Sequence, residues 1–311
     1  MSSLFPSTTS GHAKCILAGE HIVLRGYPAL VCPIKQKKLS LAFIPGGEEL
    51  RVEAEEEGDG KLAACVLQTL RRSAAHVREP STEKDWRGAF YVRNGIEMGA
   101  GIGFSAALCV AIARWLASKG WIDEKRVFSV AHRLEADYHG RSSGLDVAGA
   151  MSEHALCFTA TGQSRPLQCH WKPELYISHS GGSKETHEVI ASIQTQLRER
   201  PSKALQLDEK MAGNVYAIER ALAVKRTAGE PLLAAAIEGA RLCFEAWGLI
   251  TPALQQHGEL LRNAGALAIK PTGAGKGGYV MSLWEAPPPT IEGVTFIPIA
   301  LTPEPRHERL K

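Results

Sequence analysis

Gly99-Ala-Gly101-Ile-Gly103-Phe-Ser105-Ala-Ala107 separates a strand candidate, Ala89-Phe-Tyr-Val-Arg93, from an apolar helix expected over about 105–118. Glycine lacks Cβ and reaches positive φ, so this spacing lets the backbone fold closely around an anion. The helix that follows would aim free N–H groups and the positive end of its dipole at the same place. Ser105 would either cap that helix or offer its hydroxyl to a metal ion. Position 104 is Phe, so the loop is not the G-x-G-x-x-G of dinucleotide-binding folds, and no G-x-x-x-x-G-K-[ST] is present in it. A tight strand-to-helix turn would also use these glycines, so the decision comes from the residues around the loop.

Downstream, Glu135 lies on a helix expected over roughly 123–139, and Asp146 follows the break His139-Gly-Arg-Ser-Ser-Gly144. A helix ending in a tight turn can bring two such carboxylates to one site. One would hold a hard cation through oxygen, and the other would accept or fix a substrate proton. Leu145 and Val147–Ala150 give Asp146 apolar neighbours, where an acid is costly without a partner. A solvated helix face for Glu135, paired with Arg133 or His139, and a capping role for Asp146 are the plainer alternatives. Upstream, Lys14, Glu20 and His21 bracket a short apolar strand. Lys14 would lower the pKa of a nearby carboxylate or stabilise an alkoxide by charge, and Glu20 and His21 would hydrogen-bond a polar substrate. Near the other end, Lys270-Pro-Thr-Gly273-Ala-Gly275-Lys-Gly277-Gly278 precedes a strand at 279–284. Its glycine density exceeds what a two-residue hairpin turn needs, and points to close approach of another backbone or a ligand.

In this order the segments resemble the GHMP kinase superfamily, most closely its mevalonate kinases. Lys14-Cys-Ile-Leu-Ala-Gly-Glu20-His21-Ile-Val-Leu-Arg-Gly26-Tyr-Pro-Ala-Leu30 is similar to that family's K-x-I-L-x-G-E-H-x-V-x-x-G-x-x-A-L. The loop 99–107 is similar to G-A-G-L-G-S-S-A-A. Glu135 with His139-Gly140, Ser143-Gly144 and Asp146 is similar to E-x-x-x-H-G-x-x-S-G-x-D, and Thr272–Gly278 to T-G-A-G-G-G-G. The resemblance implies an α+β, two-lobed fold, with an N-terminal lobe like ribosomal protein S5 domain 2 and a ferredoxin-like C-terminal lobe. It also implies transfer of the ATP γ-phosphoryl to a primary alcohol, mevalonate or a similar one. Ser105 and Glu135 would be Mg²⁺ ligands. Asp146 would act as catalytic base or orient the hydroxyl, with Lys14 beside it stabilising the alkoxide. Gly99, Ala100, Gly101, Ile102 and Gly103, with Ser105 and Ala106, would bind the nucleotide. Glu20 and His21, with Gly273, Ala274 and Gly275, would contact the acceptor. Another acceptor within the superfamily (phosphomevalonate, homoserine or a sugar) and a non-catalytic nucleotide- or metabolite-binding role are the alternatives. The chain departs from the family pattern at Ala13, Glu97, Phe104 and Lys276. Lys276 would balance Glu97 if both faced the site.

Composition frames this reading. The chain has 311 residues, 44% hydrophobic and 22% charged, which suits a globular protein with ample core and excludes collagen, coiled coil and wholesale disorder. A net charge of +3 and 6% aromatics argue against nucleic acid as a partner. The longest apolar run, Ala106–Leu116, is interrupted by Arg114 and is too short for a bilayer. The segment Met1–Ser10 shows no secretory signal pattern. The 7 cysteines are dispersed, as expected for buried free thiols in a reducing cytoplasm rather than a disulfide framework or a zinc site. The family analogy suggests a homodimer.

The coarse pattern reads 14–32 as two short strands around a turn, with Cys15–Ala18 and Ile22–Leu24 apolar and Gly26-Tyr-Pro28 turning the chain before Ala29–Cys32, and places another strand pair over 39–55 split by Pro45-Gly46-Gly47. A helix is expected at 61–78, and strands at 154–160 and 174–179. Four helices follow at 184–199, 205–226, 230–247 and 251–264, and a last strand near 294–300. The shift from strand-rich to helix-rich near 175–183, with Gly181-Gly182 as hinge, sets expected lobes of 1–178 and 179–311. The polar tail 303–311 reads as mobile.

Overall fold

The loop at 99–103 does join a strand to a helix. In the computed structural model, which describes residues 8–55, 60–77, 86–140, 142–159, 161–181 and 186–301, β4 (Gly88–Asn94) precedes it and α2 (Phe104–Ser118) follows. Gly182, Arg78 and the tail 303–311 lie outside the described residues. The chain divides into two compact units. The first holds the described residues of Met1–Ala13, Lys35–Met98 and Gly103–Met151, and the second those of Lys14–Ile34, Gly99–Ile102 and Ser152–Lys311.

In the first unit, the outer half of β2 (Ala29–Pro45) runs antiparallel to β4, in register from Leu39↔Asn94 to Pro45↔Gly88. β3 (Leu50–Ala54) lies parallel to β4 on its other edge, from Leu50↔Gly88 to Ala54↔Val92. Both strands expected over 39–55 are observed, but they do not pair with each other. Pro45-Gly46-Gly47 turns the chain, but β3 skips β2 and pairs β4, with α1 (Gly60–Ser73) in the intervening crossover. α2 is buried on all sides from Ala106 to Ala113 and again at Trp115 and Leu116. A helix apolar all round belongs inside a domain. Arg114, its one charge, donates to the carbonyls of Ser10 at 2.6 Å and Met151 at 3.0 Å. Trp115 packs edge-on against Phe43, Phe90 and Trp86. α3 (Val127–His139) buries Val127, Val130, Ala131 and Leu134, the i, i+3, i+4, i+7 stripe of an amphipathic helix, and ends where Gly140 turns left-handed. α4 (Leu145–Met151) follows.

In the second unit, the inner half of β2 pairs antiparallel with β5 (Leu156–Phe158), from Ala29↔Phe158 to Val31↔Leu156, and β6 (Ser164–Pro166) extends that edge. Pro33 falls between the two registers of β2, where its missing N–H breaks neither ladder. β1 (Thr8–Ala18) pairs with β2. Ile22–Arg25 is a single 3₁₀ turn, not the expected strand, and only Ile22 of it is buried. β2 is continuous over the two strands expected at 29–32 and 39–45. A four-stranded antiparallel sheet has the order β10-β7-β9-β8. Its strands are β7 (Glu174–His179), β8 (Ala268–Pro271), β9 (Tyr279–Trp284) and β10 (Ile297–Pro298). The helices are α5 (Thr186–Glu199), α6 (Pro201–Leu222), α7 (Arg226–Ala246) and α8 (Pro252–Asn263). Leu254 and Leu261 of α8 bury against Ile269, Val280 and Trp284 of the sheet.

Among the described residues no helix is long and apolar enough to cross a membrane. The cysteines are all free. Five are buried, and Cys65 and Cys169 are only partly so, which corrects the expectation of seven buried thiols.

Candidate active site

The glycines of the first loop are required by backbone shape. Gly99, Gly101 and Gly103 hold φ of 81°, 83° and 87°, a region that L side chains rarely adopt. Gly103 is the N-cap of α2 and carries no side chain to satisfy the first-turn amides, so those N–H groups suit an anionic ligand. Ser105 is thus not the cap. It sits one residue inside the helix, with its hydroxyl 3.1 Å from His139 Nε2.

The acidic residues belong to the first unit. Glu135 on α3 is 2% exposed, and the Ser142 hydroxyl donates to its Oε2. Ser142 is itself fixed: its carbonyl meets His132 Nε2 at 3.0 Å and its Oγ accepts the Gly144 N–H at 3.0 Å. His139 lies four residues on from Glu135, on the same helix face, so the Ser105–His139 contact brings the Ser105 hydroxyl to the face that carries the carboxylate. Asp146 is half-buried in the first turn of α4, an element too short to show a helical period in sequence. A hydroxyl and a buried carboxylate are hard oxygen donors of the kind Mg²⁺ takes, together with substrate phosphates. Among the described residues no group of three or more His, Cys, Asp and Glu forms a metal cage. The donor set fits a cation completed by phosphate oxygens.

The second unit carries the remaining candidates. Lys14 is 2% exposed and grips the first glycine loop twice, its backbone N–H donating to Ile102 O at 2.9 Å and its Nζ to Gly101 O at 3.2 Å. The second glycine loop lies backbone to backbone on the first. A Cβ at Gly278 would stand 2.5 Å from Ala100 O, and one at Gly273 2.7 Å from Gly101 O. Glu20 pairs with Lys270 at 2.5 Å, and both are buried. Thr272 Oγ1 accepts the Ile16 N–H at 3.0 Å and donates to Ile16 O at 3.1 Å, tying the second loop to β1. His21 adopts φ 64° and donates from Nε2 to Ala274 O at 3.0 Å. Its ring meets Phe244 and Trp247 edge-on. Arg25 holds this turn, bonding His21 O at 3.1 Å and forking onto both oxygens of Asp208 on α6. Glu97 pairs with Lys37 at 3.1 Å, and the Lys276 backbone N–H goes to Leu249 O at 2.9 Å.

Lys270, Thr272, Arg25, Asp208 and Ser142 were not singled out as site residues from sequence. Lys270 did carry a signal, since it directly follows the apolar Leu267-Ala268-Ile269 and precedes a glycine-rich loop.

Burial pushes the His21 imidazole down from 6.5 to about 4, so it is neutral in the folded protein near pH 7. The unfolded chain binds the His21 proton through the window from 6.5 to about 4, so stability is present above it and is lost as pH falls through it. His21→Gln is expected to flatten the slope of Tm against pH there. An unchanged slope would show that another group sets it.

Residues 61–154 match the family described as GHMP kinases N terminal domain. The chain carries a GHMP kinase N-terminal domain over that span. The chain is similar to proteins named mevalonate kinase along most of its length. It is 29% identical to that of Thermococcus gammatolerans, with 94% of this chain and 92% of the relative covered. It is 25% identical to that of Archaeoglobus fulgidus, with 90% and 93% covered. Its fold matches the crystal structure of L. major mevalonate kinase in complex with R-mevalonate, with a TM-score of 0.75, 22% identity and coverage of 90% of this chain and 87% of that one. It also matches a galactokinase from Lactococcus lactis, with a TM-score of 0.72, 14% identity and 96% and 94% covered. The α+β architecture of the chain, with its two sheets, is the fold of these solved structures.

Proposed function

We propose that this protein transfers the γ-phosphoryl group of ATP to the primary hydroxyl of mevalonate, giving 5-phosphomevalonate in isoprenoid precursor synthesis. The observation that carries the acceptor is the run of relatives named mevalonate kinase, aligned over 89–94% of this chain. Fold alone does not choose it, since the galactokinase has the same fold.

Phosphoryl transfer needs alignment and charge neutralisation more than covalent help. In this reading the left-handed glycines at 99, 101 and 103, with Ala100, Ile102, Ser105 and Ala106, receive the phosphates against the uncapped start of α2. Lys14 holds that loop and supplies positive charge. Ser105 and Glu135 would hold Mg²⁺, which when bound offsets negative charge on the phosphates. Asp146 orients the acceptor hydroxyl and takes its proton. Glu20 and His21, with Gly273, Ala274 and Gly275, face the acceptor. Nucleotide and catalytic motifs fall within a proposed lobe 1–178, with 179–311 as its partner lobe. By family analogy the enzyme is a cytoplasmic homodimer.

A coupled ADP-release assay with ATP, Mg²⁺ and mevalonate tests the reading, beside phosphomevalonate, homoserine and sugars. Turnover on mevalonate supports it, and turnover on another alcohol alone replaces it. Nucleotide binding without turnover on any alcohol would favour a non-catalytic binder, the reading to which the departures at Ala13, Glu97, Phe104 and Lys276 lend weight.

Glu135→Gln is expected to raise the Mg²⁺ concentration for half-maximal activity at least about tenfold, and to weaken Mg²⁺-dependent nucleotide binding measured by calorimetry. Gln keeps an acceptor oxygen for the Ser142 hydroxyl, so the fold should hold. An unchanged Mg²⁺ titration would remove Glu135 from the metal site.

A further inference from the structure

Lys270 is 0% exposed and its charge has no role in the chemistry described so far. Its ammonium donates to Glu20 Oε1 at 2.5 Å and to Ile16 O at 3.2 Å, and lies 5.3 Å from the centre of the Phe244 ring. An ammonium has three donors, and these contacts fix its position. A buried ion pair is seldom worth its desolvation for stability alone, since apolar residues of similar volume often serve as well or better. The other oxygen of the pair is the telling atom. Glu20 Oε2 is buried and has no hydrogen-bond partner. An ionised carboxylate oxygen only accepts, so the group that would satisfy it is an O–H or N–H donor from a ligand. The next residue, His21, is held in a left-handed conformation against Ala274 O of the second glycine loop.

We propose that Lys270 is a positioning residue for the acceptor: it fixes Glu20 as a carboxylate so that Oε2 accepts a hydroxyl of the alcohol to be phosphorylated. The inference rests on the phosphoryl-transfer reading above. The charged and titratable groups facing Glu20 are Lys270 from β8, Lys14 and Cys15 from β1, and Cys243 from α7. Burial drives the Glu20 carboxyl towards its neutral form, and the two lysines oppose this, Lys270 most strongly. Without the Lys270 ammonium, Glu20 is protonated over a wider range and recovers its acceptor character only as pH rises.

Lys270→Met and Lys270→Gln, the latter keeping an N–H donor without charge, test this with mevalonate and ATP. The expected result is a KM for mevalonate raised about 10–100-fold at pH 7, with the KM for ATP unchanged. In both variants kcat/KM for mevalonate should climb with pH through neutrality, a limb the wild type lacks. Lys270→Met with Glu20→Gln should be low and flat with pH. Thermal melts check that each variant folds. An unchanged KM, or a loss equally large at every pH in the single variants, overturns the positioning role while the functional reading stands. If the wild type phosphorylates a different alcohol, the same comparison is read on that alcohol. A wild type inert on every alcohol overturns the functional reading, and the inference with it.

Discussion

Asp146→Asn should lower kcat by about 10²–10⁴ while the fold and ATP affinity persist. The side chain sits in the first turn of α4, whose entry is set by the residues before it: Gly144 holds φ 82°, its N–H bonds Ser142 Oγ, and its carbonyl accepts the Ala148 N–H at 2.9 Å. None of those bonds uses the Asp146 carboxylate, so an isosteric amide leaves them in place. What the amide removes is the ability to take a proton. The alcohol has a very high pKa and need not ionise before attack, so the loss falls on the transition state rather than on binding. It should therefore appear in kcat, with the KM for ATP near its wild-type value. Steady-state kinetics on mevalonate with a thermal melt as control would decide it, and near-normal turnover would remove Asp146 from the chemistry.

Much of this arrangement was legible in the chain, and the failures share a cause. Glu174–His179 and Tyr279–Trp284 are observed with the predicted bounds: the second is buried at every position, and the first buries Leu175 and Ile177 in alternation with half-buried Glu174 and Tyr176. β8 leaves no strand signal because a lysine stands inside it, and that lysine is held by Glu20, 250 positions away in sequence, by Ile16 O and by the Phe244 ring. Pro45-Gly46-Gly47 marks the break between β2 and β3 by local turn chemistry, whereas the parallel pairing of β3 with β4 is set by the crossover between those strands. Ile22–Arg25 looked like a strand because three apolar residues have no resolvable period. The candidate residues followed the same division. Spacing and resemblance marked Lys14, Glu20, Ser105, Glu135 and Asp146. The partners that fix them, Lys270, Ser142 and the carbonyl of Gly101, are contacts that sequence spacing does not encode.

Lys14→Met is expected to cut kcat/KM for ATP by about 10²–10³, the effect of removing one preorganised donor from an anionic transition state. Met nearly matches the length of the lysine stem, so the site, 2% exposed, stays filled. Two things are lost together. Gly101 O loses the Nζ that holds it at 3.2 Å, and the phosphate loop loses a positive charge. The backbone bond from Lys14 to Ile102 O remains, so the loop keeps one of its two ties. The two contributions separate in the kinetics. A purely structural tie would raise the KM for ATP and leave kcat alone, because a loosened loop binds ground state and transition state equally poorly. A charge acting on the transferring group would lower kcat at saturating ATP. We expect the second to dominate, since carbonyls gripped by a lysine can be gripped by water, whereas charge at the transferring phosphoryl has no such substitute. Lys14→Arg sharpens the comparison: it restores the charge in a site too tight for the larger head, so kcat should recover in part while the KM for ATP stays high. If Lys14→Met raises only the KM for ATP and leaves kcat unchanged, Lys14 is a tie for the loop and not a participant in phosphoryl transfer.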